Sequence, residues 1–134
     1  MTLAQRQEDM IASINAIGDC LEQYSYLIMQ SARLPVMSDE DRREAYLVPG
    51  CQSKVWMKIS GHDGHLHLEM DSDTLIIRGI LALFIELLEG CSVEEVYQTE
   101  LTLLEQTELA ATFTSDRDLG VRSILFQIKQ TVAN

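Results

Sequence analysis

Residues 48–56, Val48-Pro49-Gly50-Cys51-Gln52-Ser53-Lys54-Val55-Trp56, set one cysteine between a Pro-Gly turn and a run with the character of a β-strand. Pro49 fixes the approach of the backbone, and Gly50 permits a positive φ immediately before the thiol. A chain presents a single sulfur atom at a loop tip in this way. The nucleophilic form of that sulfur is the thiolate, and at an ordinary pKa of ~8.5 only a few per cent is ionised at pH 7. No histidine or lysine adjoins Cys51 in sequence, and Lys54 is three residues on. Such weak local activation suits attack on an already activated sulfur better than attack on an amide or ester. Cys20 and Cys91 lie in or beside helical patterns and have no comparable setting. To protect a reactive sulfur, the resting Cys51 side chain is expected to tuck against Val48, Val55 or Trp56.

A second cluster has the residue types of a metal site. His62, His65, His67 and Glu69 lie close together, and the last three alternate along one strand face, where they could converge on zinc. Alternation is equally what the polar face of a half-exposed strand requires. No CxxC or HExxH pattern accompanies them, so the reading is no metal. Asp71, Asp73 and Arg117 complete the polar candidates. The two aspartates sit where a helix N-cap belongs. Arg117 falls in the first turn of a helix, where the dipole does not favour a cation, which points to a partner elsewhere. Trp56 reads as a core residue or an interface anchor.

Composition limits the partners. The chain has 134 residues, enough for one domain (1–134) with its own core, and its formal charge is −11. Ten scattered basic residues supply no cluster for nucleic-acid phosphates, and the acidity disfavours an anionic membrane surface. The first nine residues lack a basic region followed by an apolar core, so no signal peptide is expected. The longest apolar run, Leu75 to Leu88, is interrupted by Arg78 and Glu86 and is too short to span a bilayer. Three cysteines without a CxxC pair fit a reducing cytoplasm better than a disulfide framework.

The elements that must position Cys51 follow from periodicity. Residues 5–33 read as one long helix with Met10, Ile14, Ile17, Leu21, Tyr24 and Ile28 on one stripe, closed by Leu34-Pro35. Residues 37–43 read as a charged loop. Val55, Met57 and Ile59, then Leu66, Leu68 and Met70, alternate on either side of Asp63-Gly64, predicting an antiparallel hairpin. The segment before Cys51 is positioned to add a short third strand. Asp71-Ser72-Asp73 is expected to cap a central helix over 74–89 that is apolar nearly all round, with Gly79 marking a close backbone approach. Ser92 to Glu95 is a capping-box pattern opening a short helix. Another short helix is expected over 100–107. The last helix opens at Ser115 with Val121, Ile124, Leu125, Ile128 and Val132 as its core stripe. The sum is an α+β domain: a small antiparallel sheet packed by long N-terminal, central and C-terminal helices.

Gly50-Cys51-Gln52-Ser53-Lys54-Val55-Trp56 resembles the GCQSxVW signature of the SufE family, SufE- and CsdE-type sulfur acceptors of cysteine desulfurases. Other segments resemble the family in the right order. They are Arg33-Leu34-Pro35, Asp71-Ser72-Asp73 with Ile77-Arg78-Gly79-Ile80, and Thr114, Arg117 and Gly120 before the last helix. The resemblance covers about residues 20–130. Lys54, Arg78 and Ser115 depart from the family pattern, as do His65 and His67. It implies a SufE/IscU-like fold and a persulfide acceptor at Cys51, with Gly50, Gln52, Ser53, Trp56, Asp73 and Arg117 supporting the loop or meeting the partner. The implied partner is a pyridoxal-phosphate cysteine desulfurase, SufS- or CsdA-like, with sulfur passing on to an iron–sulfur scaffold or another acceptor. The pyridoxal phosphate belongs to that partner, so no resident cofactor or metal is expected. One alternative is a metal-binding or IscU-like scaffold protein using Cys51 with His65 or His67. A single cysteine at the tip is too few to hold an Fe–S cluster within one subunit. A cysteine hydrolase or peroxidase is the other alternative, and it requires a base within reach of Cys51.

Overall fold

The computed structural model describes residues 1–51 and 53–133, with the backbone alone at 62 and 133. Helix α1 (Leu3–Asn15) is followed by α2 (Cys20–Gln30), which runs into a 3₁₀ turn at Ser31–Arg33. A second 3₁₀ turn, Glu44–Tyr46, precedes strands β1 (Val55–His62) and β2 (His65–Ser72). Helices α3 (Leu75–Leu88), α4 (Val93–Gln98) and α5 (Ser115–Ala133) complete the α+β architecture.

The hairpin has the expected form. His62 pairs with His65 across Asp63-Gly64, and the register continues through Ile59↔Leu68 to Val55↔Ser72. Leu66, Leu68 and Met70 are buried on one face, while His65 and His67 are exposed on the other. Among the described residues no third strand forms. Leu47 makes only an isolated bridge to Trp56, and the Val48 N–H reaches the Val55 carbonyl at 2.8 Å.

Helix α3 is the centre of the molecule. Nine of its residues are buried, among them Ile77, Ile80, Leu81 and Phe84, so it packs on β2 on one side and on α1 and α2 on another. The absence of a side chain at Gly79 allows this, because a Cβ there would collide with the Leu27 carbonyl oxygen of α2.

The long N-terminal helix expected from periodicity is two helices. Gly18, at φ +141°, takes a backbone conformation closed to most residues, and the Asp19 carboxylate then caps α2 by accepting from the Glu22 N–H at 3.0 Å. The break rotates the buried stripe. Ile14 is buried in α1, but in α2 the buried positions are Gln23 and Leu27, and Leu21 is exposed.

The helix expected over 100–107 is also absent; that segment is a series of turns. Its backbone is satisfied by two buried glutamines instead. Gln7 donates to the Glu100 carbonyl at 3.0 Å and accepts from the Thr102 N–H at 2.9 Å. Gln23 accepts from the Glu108 N–H at 2.8 Å. The segment thereby lies across α1 and α2 and buries Leu103, Leu104 and Leu109.

Ser92 caps α4 as its sequence predicts, accepting from the Glu95 N–H at 3.1 Å. The Glu95 carboxylate has a second role beyond its own helix. It reaches across the fold to accept from the Leu3 N–H of α1 at 2.9 Å.

Candidate functional site: the Cys51 cleft

Residues 48–51 and 53–55 belong to a loop whose base is closed by the Val48–Val55 hydrogen bond and which contacts α5 through Pro49 and Cys51. Gly50 has φ +84°, the positive value its sequence context predicts. Two pins hold the approach to the thiol: the Ser123 hydroxyl donates to the Pro49 carbonyl at 3.1 Å, and the Cys51 Sγ–H donates to the Gly120 carbonyl at 3.4 Å.

The exit limb is pinned to the start of α3. The Thr74 hydroxyl donates to Ser53 Oγ at 2.7 Å. The Lys54 N–H donates to Asp73 Oδ1 at 3.2 Å, and the Lys54 carbonyl accepts from the Ser72 hydroxyl at 2.8 Å. Thr74, not Asp73, stands at the N-cap position of α3, and its side chain makes no cap hydrogen bond. The Asp73 carboxylate instead accepts from the Lys54 N–H of the loop and from the Thr74 hydroxyl at 3.0 Å.

Cys51 is half-buried. Its sulfur faces a narrow cleft of about 10 Å³, floored by Val55, Ile77, Val121 and Ile124 and rimmed by Asp116 and Arg117. That volume admits about one water-sized sphere. Burial pushes the thiol pKa above its ordinary value. The resting side chain is therefore a sheltered, protonated thiol that donates to a carbonyl. To act as a nucleophile it must leave the Gly120 carbonyl, and leaving the cleft removes the burial that keeps it protonated.

The candidate residues fall into two groups. Gly50, Ser53 and Arg117 gather around Cys51, and Asp73 holds the loop three residues on, at Lys54. Gln52 lies outside the described residues. Val55 shelters the sulfur as expected, while Val48 and Trp56 take no part in the cleft. Trp56 is buried, paired in register with Asp71, and its ring lies under the Arg42 guanidinium at 5.1 Å. Arg42 also donates to Asp71 Oδ2 through Nε at 3.1 Å and Nη2 at 2.8 Å.

Asp71 is no helix cap. Its side chain is fully buried and takes both Arg42 and Arg78 as ion-pair partners, plus the Met37 N–H at 3.0 Å and the Ser72 N–H at 2.8 Å. Arg78 then donates to the Leu34 carbonyl at 2.6 Å. This knot ties the end of α2, the 35–43 loop, β2 and α3 together behind the Cys51 loop.

Sequence reasoning passed over Ile77, Ser123 and Ile124 as site residues, since a helical stripe carries no mark of what it covers. The Gly120 motif position was the available signal. At Gly120 a Cβ would stand only 3.5 Å from Cys51 Cα.

The histidines are engaged locally. His65 Nδ1 lies 2.8 Å from the Gly90 carbonyl oxygen, and His67 Nδ1 lies 2.9 Å from Glu89 Oε2. The side chain of His62 lies outside the described residues. Among the described residues, no group of three or more His, Cys, Asp or Glu is arranged to hold a metal ion, and no helix is long and apolar enough to cross a membrane.

The model of the SufE family, described as an Fe-S metabolism associated domain, matches residues 8–132. The chain belongs to the SufE family. It is 30% identical over 105 residues to the sulfur acceptor protein CsdE of Escherichia coli (strain K12), an alignment covering 77% of this chain and 71% of that protein. Its fold is similar to the solution structure of a hypothetical protein from Thermus thermophilus. The TM-score is 0.79 at 19% identity, over 96% of this chain and 93% of that one. In this SufE-family chain the signature residues Gly50 and Cys51 thus stand at the tip of a loop pinned to α3 and α5.

Proposed function

We propose that this protein is a sulfur acceptor that takes persulfide sulfur from a cysteine desulfurase onto Cys51 and passes it on for iron–sulfur cluster assembly. The observation that carries the reading is the setting of the Cys51 thiol. It is sheltered in a narrow cleft, on a loop held by a few side-chain hydrogen bonds. A carrier of a labile sulfur needs shelter between transfers and exposure during them, and a loop of this kind supplies both.

The chemistry is a sulfur exchange without net oxidation. The partner's active-site cysteine carries an outer sulfur. Cys51 loses its proton as the loop opens, and its thiolate attacks that outer sulfur. The bond between the partner's two sulfurs breaks as the new S–S bond forms, and the partner departs as a thiolate. The partner is a pyridoxal-phosphate enzyme of SufS or CsdA type, the sulfur passes next to an iron–sulfur scaffold or another acceptor, and the setting is the cytoplasm. This chain contributes no resident cofactor to the transfer; its residues hold, shelter and release one sulfur atom.

The test is mass spectrometry of the Cys51 peptide after the protein is mixed with a desulfurase and cysteine. The expected product carries one additional sulfur atom on Cys51, and Cys51→Ser carries none. An unmodified Cys51 beside an active desulfurase would overturn the proposal.

A further inference from the structure

Two large apolar side chains on α5 stand exposed beside the acceptor loop. Leu119 is 65% exposed and Phe126 is 59% exposed. Single exposed hydrophobics are normal on a protein surface. These two are not independent of the site. Leu119 shares an open hollow of about 250 Å³ with Gly50, Cys51 and Asp116. Phe126 is three residues beyond Ser123, whose hydroxyl holds the Pro49 carbonyl. At 3.6 residues per turn, positions 119, 123 and 126 fall within an arc of about 60° and span about 10 Å of the helix. The opposite side of α5 is spent on the core through Val121, Ile124 and Ile128.

We infer that the Leu119–Ser123–Phe126 face of α5 is the apolar anchor on which the cysteine desulfurase docks. This rests on the sulfur-acceptor reading. Transfer brings the partner's outer sulfur to about 2 Å from the Cys51 sulfur. The partner surface must then cover Gly50 and Cys51, and Leu119 borders the same hollow. The occupant therefore presents an apolar patch to Leu119 and Phe126 close to the mouth of its active site. Burying exposed aromatic and aliphatic anchors at the centre of an interface is how a few residues supply most of its affinity. Docking here also presses on the helix that carries both pins of the loop, Ser123 and Gly120, and so couples binding to release of the thiol.

The experiment titrates a desulfurase with wild-type protein and with Leu119→Glu, Phe126→Glu and, as a control on an exposed apolar residue of α2, Met29→Glu. Affinity and the rate of sulfur transfer to Cys51 are read together. Each variant is also treated with inorganic polysulfide, which modifies Cys51 without a partner. The expected result is at least a tenfold loss of affinity for Leu119→Glu and Phe126→Glu, a change within twofold for Met29→Glu, and polysulfide reactivity close to wild type for Phe126→Glu and Met29→Glu, which lie outside the hollow that Leu119 shares with Cys51. Phe126→Leu should recover most of the affinity. Desulfurase affinity within twofold of wild type for both glutamate variants, or an equal loss in Met29→Glu, overturns the inference and leaves the sulfur-acceptor reading standing. A wild-type protein that takes no sulfur from an active desulfurase overturns both.

Discussion

The Cys51 thiol donates to the Gly120 carbonyl at 3.4 Å, and a Cβ on Gly120 would stand 3.8 Å from the sulfur. The last helix is therefore the wall of the sulfur cleft, and residue 120 sets how closely the loop can seat. An alanine fits at ordinary contact distance and raises helix propensity by up to ~1 kcal/mol. Gly120→Ala should melt at or above the wild-type temperature with Cys51 alkylated no faster. A leucine has no room beneath Cys51, so Gly120→Leu should lift the loop and speed alkylation several-fold. Thiol alkylation beside a thermal melt checks both, and a slow thiol in a folded Gly120→Leu would show that the loop does not depend on this wall.

The three cysteines should separate by setting. Cys51→Ser should fold normally and fail to stimulate a matched desulfurase. Cys20→Ser, at the start of α2, should retain most activity. Cys91 is buried, with the Arg6 guanidinium 3.5 Å from its sulfur, so Cys91→Ser should lower stability by about 1 kcal/mol without blocking transfer. Stimulation assays with melts decide the matter, and full stimulation by Cys51→Ser is the result that contradicts the acceptor assignment.

Burial raises the Cys51 pKa, which fixes the sign of its pH dependence. A raised folded value contributes stability in full below the unfolded pKa, and that contribution is lost as pH rises through the folded pKa. Cys91 is raised too, first by burial, and acts in the same direction. Alkylation of Cys51 in the folded protein should accordingly follow a midpoint above that of the same thiol in denaturant. Adding the desulfurase should move the midpoint down, because an opened loop takes the thiol out of the cleft whose burial keeps it protonated. A folded midpoint at or below the denatured one would contradict a sheltered resting thiol.

The parts of this design that are legible from the sequence are those in which one residue's chemistry determines the local answer. Gly50 before Cys51 takes the positive φ its position requires, and Asp63-Gly64 makes the hairpin turn. What was not legible depends on partners distant in the chain. Gln7 and Gln23 look like solvent-facing residues of a helix until segment 100–112 supplies the backbone groups they bind. Asp71 resembles a cap because nothing local reveals that Arg42 and Arg78 converge on it. Gly18 leaves no mark in the pattern, because apolar residues continue at helical spacing on both sides of it and periodicity alone carries no record of a break.

Asp71 gives the molecule an acid limit. Burial alone would raise its pKa, but the Met37 N–H, Arg42, the Ser72 N–H and the charge of Arg78 outweigh it, and the net shift is downward. A lowered folded value contributes stability above the unfolded pKa of ~3.9, lost as pH falls through the folded pKa. Asp71→Asn leaves two guanidinium groups without their counter-charge and should cost about 3–5 kcal/mol. Denaturant melts from pH 7 down to pH 2 should show a steep acid loss in wild type and a shallower one in Asp71→Asn. Parallel curves would mean that other carboxylates set the acid limit.

Arg117 is the remaining question at the site. It is the third residue of α5, where the helix dipole disfavours a cation, and its backbone N–H is capped by the Thr114 hydroxyl at 3.2 Å. Its side chain lines the Cys51 cleft, and among the described residues its guanidinium makes no ion pair or hydrogen bond. A positive charge held at the mouth of a sulfur cleft in this way has a clear electrostatic use. It favours the thiolate as the loop opens and the persulfide anion once sulfur arrives, both of which carry the charge that burial disfavours. Arg117→Ala should therefore fold with a melting temperature close to wild type, since no ion pair or hydrogen bond to a described residue is lost. It should slow transfer from a desulfurase several-fold, and it should raise the alkylation midpoint of Cys51 in the presence of the partner. Arg117→Lys should recover part of the rate, because the charge remains while the planar fork is lost. Transfer assays, melts and alkylation profiles across the three proteins separate this role from a structural one. Wild-type transfer and an unmoved midpoint in a folded Arg117→Ala would make Arg117 a bystander and confine the site to the Cys51 loop, its pins on α3 and α5, and the wall at Gly120.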